Sequence, residues 1–400
     1  MSALTKSRIE SIDILRGIVM VIMALDHVRD FFHVTANTAD PLDIEYYSLP
    51  LYFTRWITHL CAPTFIFLSG TSIYLQSLRK TSRELGLFVI KRGLWLIFVE
   101  SFIMTFAWSF NPKFAIIPLF SIITTIGISM VVLGVLLLLK TPYKMLLALG
   151  GIIVLGHNIL DFWEAEPGFK PGFMWDLLHS GVFKLYPWGN GHSLMMVYPF
   201  PAWTGLMLLG YCTGKLFSQN ISSAYRTKKL RQIGLALIAA FVVIRFINVY
   251  GDPLKWTSQA SPVQTFLSFM KVHKYPPSLL YMCITIGISL IALSYLEQRS
   301  NRFTQVAKTY GRTAFFYYIL HIFLIHLVAV AFYFIHGNSL QDVWNIGEKY
   351  PFLFVVPGQG ESLLVVYILW IAIVAALYPL CRWYDRYKTA HKEKWWLSYL

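Results

Sequence analysis

The sequence predicts an all-α, polytopic membrane helix bundle of about ten transmembrane helices with N and C termini in the cytoplasm, and three observations carry that reading. Apolar runs of about 20 residues recur along the chain, the length at which a helix crosses a bilayer core. Only 14% of the 400 residues are charged and mean hydropathy is +0.55, whereas soluble domains carry roughly 25% charged residues. Lys and Arg also gather in alternate loops. One set of loops holds 23 basic residues against five acids, the other 7 against 11, and the positive-inside rule puts the basic set in the cytoplasm.

Backbone in lipid must satisfy its own hydrogen bonds, so the runs are read as helices. They are expected near 12–33, 50–78, 87–109, 118–139, 143–160, 200–217, 230–250, 276–296, 313–336 and 362–383. The alternation of an outer-membrane barrel is absent. The first run contains Asp13, Arg16 and Asp26, lacks a signal-peptide core, and is read as a retained helix. A tight turn at Lys140–Lys144 joins the fourth and fifth runs, punctuated by Pro142. The chain reads as one integral membrane domain, 1–400, with 161–199 as an extracytoplasmic cap loop. Cys61, Cys212, Cys283 and Cys381 show no ligand spacing, so neither disulfide nor metal is expected. The formal charge of +14 is a topology signal with the lipid bilayer as its partner. No compact basic module suggests nucleic acid. A homo-oligomer is compatible with the sequence.

Ionisable residues inside apolar runs are costly and mark functional sites or buried pairs. The first helix is richest. Arg16 and His27 lie eleven residues apart on one stripe, about 16 Å along the axis. Asp13 and Arg16 are neighbours at i,i+3, and Asp26 and His27 lie at i,i+4 and i,i+3 from Asp30. A histidine oriented by a carboxylate is a general-base arrangement, so His27 with Asp26 or Asp30 is the candidate catalytic group; a plain helix end is the alternative. Arg55 and His59, at i,i+4 in the second run, either complete a substrate site or neutralise the two acids. Glu100 is expected to pair with an interior base, and Arg245 to snorkel. His321, mid-run with Tyr317 and Tyr318 one turn earlier, is a hydrogen-bond hub or a second reactive group. The aromatic stretch at Lys392–Trp396 reads as an interfacial anchor.

Several motifs add a resemblance. Ser11-Ile-Asp-Ile-Leu-Arg16-Gly17 leading to Asp26-His27, Pro63–Leu75, the Gly-rich Pro201–Lys215, Lys274-Tyr-Pro-Pro-Ser278 and the Gly311–His321 segment together resemble the heparan-α-glucosaminide N-acetyltransferase family, in its bacterial branch, within the transmembrane acyltransferase superfamily. That resemblance implies transfer of an acetyl or acyl group from cytoplasmic acetyl-CoA to an amine or hydroxyl of an extracytoplasmic sugar or glycan. It also implies a multi-pass protein of the bacterial inner (plasma) membrane. Arg16, Arg312, Lys91 and Arg92 would then meet the donor's phosphates. His27 would take the acceptor proton, directly or by way of an acyl-imidazole, with His321 assisting as second base or binding the thioester carbonyl. Arg55, His59, Lys274 and Tyr275 would face the acceptor. A proton-coupled transporter of a small solute is the main rival, since intramembrane charges suit it as well, and a non-catalytic scaffold is the third reading.

Overall fold

The computed structural model describes residues 9–36, 38–43, 48–114, 116–181, 183–347 and 352–398. It is mostly helical, and helix occupies each of the ten expected segments. Among the described residues, five helices are long and apolar enough to cross a membrane: Tyr143–Glu164, Ser223–Ile247, Leu279–Leu296, Ala314–Ile335 and Leu363–Ala390. Only 17% of the apolar window of the last is buried. Its apolar side chains face outward, as they do where lipid is the solvent.

The first helix, α1 (Glu10–Phe32), is the hub of the bundle. The second run is broken into α2 (Leu49–Thr58) and α3 (Cys61–Ser77), where one helix was expected. Pro63 is the cause: its ring would clash with the carbonyl of His59, four residues back, and it has no N–H to donate. The freed His59 carbonyl accepts the Tyr281 hydroxyl at 2.9 Å instead. The third run begins early, at α4 (Ser82–Val99), because Thr81 and Glu84 form a capping box. It then passes through a π-helical turn, Glu100–Met104, into α5 (Thr105–Ser109).

The fourth run opens as a strand, β1 (Ile116–Phe120), and becomes helix only at α6 (Ile122–Leu138). β1 pairs in parallel with β3 (His192–Met196), which pairs antiparallel with β2 (Lys184–Gly189). The sequence reading held no strand here, because long-range pairing across some 75 residues leaves no local period. The bundle continues through α7 (Tyr143–Glu164), α8 (Phe200–Thr213), α9 (Ser223–Ile247), α10 (Pro262–Met270), α11 (Leu279–Leu296), α12 (Arg302–Arg312), α13 (Ala314–Ile335) and α14 (Leu363–Ala390). α1 packs against α2, α3, α11, α12, α13 and α14.

Glycines in the sequence motifs mark where helices touch backbone to backbone. A Cβ on Gly17 would sit 1.7 Å from the Ala307 carbonyl oxygen, and one on Gly311 would sit 1.8 Å from the Asp13 oxygen. No side chain fits at this α1–α12 crossing, which explains a glycine directly after Arg16.

Arg245 does not snorkel. It is 1% exposed and donates to the carbonyls of Leu254, Ser268, Phe269 and Lys271 at 2.6, 3.0, 2.9 and 2.6 Å. The segment after α9, through the end of α10, closes over the guanidinium, which makes four of its five possible hydrogen bonds to backbone carbonyls.

Candidate functional site

One stripe of α1 faces a single large cavity. Ile9, Asp13, Arg16, Met20, Met23, Asp26, His27 and Asp30 all line it, at the three- and four-residue steps of one helix face. From Ile9 to Asp30 that stripe rises about 32 Å, close to the bilayer's hydrocarbon thickness. The cavity volume is about 1300 Å³. Opposite α1 stands a matching stripe of Phe88, Arg92, Leu96 and Glu100, followed by Thr105, Trp108 and Ser109.

At the end of the cavity near the α1 N-terminus the lining is basic, with Arg16, Arg79, Arg92, Arg312 and Lys388. Arg16 bonds Asp13 at 3.1 Å and the Ser72 hydroxyl at 2.7 Å, and Arg312 pairs with Asp385 at 3.0 Å. Lys91 does not belong to this group. It is exposed and does not line the cavity, because a neighbour of Arg92 on a helix is turned by about 100°. Arg79 and Lys388 were missed because in sequence they are indistinguishable from the other basic loop residues.

At the other end, charges are paired tightly. The Asp26 carboxylate binds Arg55 at 2.5 Å and Arg29 at 3.0 Å, and accepts the Thr58 hydroxyl at 3.0 Å. Asp30 binds Arg29 at 2.5 Å. Neither carboxylate holds His27, contrary to expectation; Arg29 and Arg55 occupy Asp26, which leaves α1 about 100° away from its neighbour His27. Lys274 and Tyr275 line the same end. The Lys274 ammonium lies 5.0 Å from the centre of the Tyr275 ring and 5.7 Å from that of Tyr198. Their loop is anchored by Asp252, which accepts from the His273 N–H at 2.9 Å and the Ser278 hydroxyl at 2.6 Å. His59 is buried and does not line the cavity. Its ring packs edge-on against Tyr281, 5.3 Å between centres, so it supports the wall rather than a ligand. His33 is bonded to Thr35 at 2.8 Å and lies off the cavity.

His27 is oriented by His321. His27 Nδ1 and His321 Nε2 are 2.7 Å apart, and His321 Nδ1 lies 3.0 Å from the Tyr317 carbonyl oxygen. A carbonyl only accepts, so His321 Nδ1 carries the hydrogen and donates it. Neutral His321 then offers Nε2 as an acceptor, and His27 Nδ1–H donates to it. That leaves the lone pair of His27 on Nε2. Trp108 packs against the His27 ring at 4.9 Å, edge to face. His321 is fully buried with both nitrogens engaged, so it acts through His27 and is not placed to touch a carbonyl in the cavity.

Glu100 pairs with no base: it is 1% exposed, lines the cavity, and its Oε2 has no hydrogen-bond partner among the described residues. Asp161, Glu164 and His179 bring three potential metal ligands within 4.8 Å of one another. They lie away from the cavity and already bond one another and their neighbours: His179 Nε2 to Asp161 at 2.9 Å, Asn158 to Asp161 at 2.7 Å and Trp175 to Glu164 at 2.5 Å.

The family model for the heparan-alpha-glucosaminide N-acetyltransferase catalytic domain matches residues 8–250. The chain belongs to this family. No curated protein matches it. The matched stretch carries His27, Asp26, Arg55 and Glu100, which makes it the half of the cavity wall that family membership covers. His321, Lys274 and Arg312 come from the remaining helices and complete the wall by tertiary packing.

Proposed function

We propose that the protein is a membrane acetyltransferase that moves an acetyl group from cytoplasmic acetyl-CoA to an amine or hydroxyl of an extracytoplasmic sugar or glycan. The single observation that carries this reading is His27, which lines a cavity running the length of α1 and is held at Nδ1 by His321, leaving the lone pair on Nε2. Family membership supports the acetyltransferase class. The excess of Lys and Arg in the loops at the basic end of the cavity supports a cytoplasmic position for that end, with ten spans and both termini inside. The branch that the motifs resemble supports a place in the bacterial inner membrane.

The cations fit the donor's chemistry. Arg79, Arg92, Arg312 and Lys388 gather at one mouth, where phosphate groups would meet guanidinium and ammonium donors. Acetyl-CoA supplies an acetyl group activated as a thioester. His27 Nε2 takes the proton of the acceptor's N–H or O–H as the new bond to the acetyl carbon forms. The imidazolium, its Nδ1–H still shared with His321, then gives that proton to the departing sulfur, so the products are the acetylated acceptor and free thiol. Lys274, Arg55 and Tyr275 orient the acceptor from the opposite mouth.

The test is consumption of acetyl-CoA by purified protein supplied with amine and hydroxyl sugar acceptors, in wild type and in His27→Ala and His321→Ala. Loss in His27→Ala with a smaller loss in His321→Ala supports the reading. Full turnover in both rejects it, and solute flux into proteoliposomes without acyl-CoA would favour the transporter.

A further inference from the structure

Glu100 is a buried carboxyl in the cavity wall with no ion-pair partner among the described residues, and the fold invests a distortion at that point. The α4 stripe advances by four residues from Phe88 through Arg92 and Leu96 to Glu100, then by five to Thr105 across the π-helical turn, then by four to Ser109. A stripe of strict four-residue steps drifts about 40° per step around a helix of 3.6 residues per turn. At 100° per residue a five-residue step would carry Thr105 about 140° past Glu100, and the wider π-turn absorbs the extra residue, so the outer part of the stripe stays on the cavity. Single π-turns of this kind concentrate at functional sites. The turn is closed by the Thr105 N–H, which donates to the Glu100 carbonyl, and the Thr105 hydroxyl donates to the same oxygen at 2.9 Å.

The position of Glu100 along the cavity narrows its role. Arg92 stands eight residues before it and Trp108, which packs on His27, eight after. Each interval is about 12 Å of rise, so Glu100 lies midway between the basic mouth and the imidazole. Its Oε2 and the hydroxyl of Ser121, a neighbouring polar group on the same cavity, form no well-shaped hydrogen bond among the described residues, although each lies within the other's reach. Around them the lining is apolar: Met20, Leu96, Ile122 and Ile126. Buried polar groups that find no protein partner cost free energy unless something else satisfies them.

We infer that Glu100, with Ser121, is a binding station for the amide-bearing arm of the acyl donor. This rests on the acetyl-CoA reading above. A donor with its phosphates among the cations and its thioester at His27 must thread the passage between them. The linking arm of coenzyme A carries two secondary amides and one hydroxyl, and the amides lie nearer the thioester. An amide N–H is complementary to the open Oε2, and an amide carbonyl to the Ser121 O–H. Glu100 is therefore a specificity-determining residue that favours an amide-containing thioester over a simple alkyl one. It takes no proton from the acceptor.

The experiment uses full-length purified protein and three donors: acetyl-CoA, S-acetyl-N-acetylcysteamine with one amide, and ethyl thioacetate with none. Glu100→Leu is expected to raise KM for acetyl-CoA about ten- to a hundredfold, the effect of losing a hydrogen bond to a charged group, with kcat nearly unchanged. Ethyl thioacetate turnover should not move, so the preference for acetyl-CoA collapses. Glu100→Gln, which keeps a carbonyl acceptor, should restore most of the affinity, and Ser121→Ala should shift KM in the same direction by less. An unchanged KM in Glu100→Leu, or equal losses for the amide-free donor, overturns the inference, as does a Gln variant with kcat as low as His27→Ala. If Glu100→Leu fails to fold, the Gln and Ser121→Ala donor preferences decide it by the same criteria. Wild-type protein that neither binds nor turns over acetyl-CoA would instead defeat the acetyltransferase reading itself.

Discussion

Arg55 and Arg245 look alike in sequence, each a lone arginine towards the outer end of an apolar run, and the structure uses them in opposite ways. Arg245 is spent on four backbone carbonyls between Leu254 and Lys271, with no face on the cavity. Arg55 is spent on the Asp26 carboxylate at 2.5 Å and lines the cavity beside Lys274 and Tyr275. A guanidinium satisfied by carbonyls locks a fold. A guanidinium satisfied by one carboxylate keeps further donors for a ligand. A charge inside an apolar segment thus announces a constraint, and its partners decide whether that constraint is architecture or chemistry.

Substitutions can break that contrast or sharpen it. The largest effect is expected at the chemical centre: His27→Ala should lower turnover by about 10²–10⁴, the usual contribution of a general base, with a fall in the thermal midpoint smaller than that of Arg245→Met. Activity and thermal unfolding in detergent, measured on one preparation, check this. Arg245→Met should do the reverse. Removing the guanidinium leaves four backbone carbonyls without their donor and takes the cation from beside Asp252, 3.9 Å away, and stability should drop by about 3–5 kcal/mol while the surviving folded fraction retains its specific activity. A stable but inactive Arg245→Met would erase the distinction between the two arginines.

Arg55→Met should fall between these. Arg29 still faces Asp26, so the stability cost is smaller, about 1.5–3 kcal/mol for a charged hydrogen bond, and KM for the acceptor should rise more than kcat falls. Steady-state kinetics against acceptor concentration separates the two. The smallest effect is expected for His321→Gln, whose side-chain oxygen can still accept from His27 Nδ1–H. It should keep most of the turnover that His321→Ala loses, and the ratio of the two rates measures how much positioning His321 supplies.

The stripe on α1 was legible in advance because helical spacing puts Arg16 and His27 on one face whatever surrounds them. The orientation of His27 was not. Asp30 has the right spacing to hold it, yet Arg29 claims that carboxylate, and the group that does hold His27 lies 294 residues away in α13. His59 and Lys91 were misplaced for the same reason in two forms. A helix was assumed to run through Pro63, and a basic neighbour of Arg92 was assumed to share its direction. Glu100 was recognised as buried, and its lack of a base became visible only with every neighbouring helix in place.

Composition, apolar run length and loop charge by themselves determined that this is a helical membrane protein, because lipid forces backbone hydrogen bonds to close within each segment and leaves that demand written in local hydropathy. Which charged side chains meet, which nitrogen of His27 is basic, and that one passage joins Arg92 to His27 past Glu100 were decided only by tertiary structure. Those properties depend on the azimuth and depth at which separate helices pack, and glycine crossings such as Gly17 against Gly311 set both through contacts between residues hundreds of positions apart.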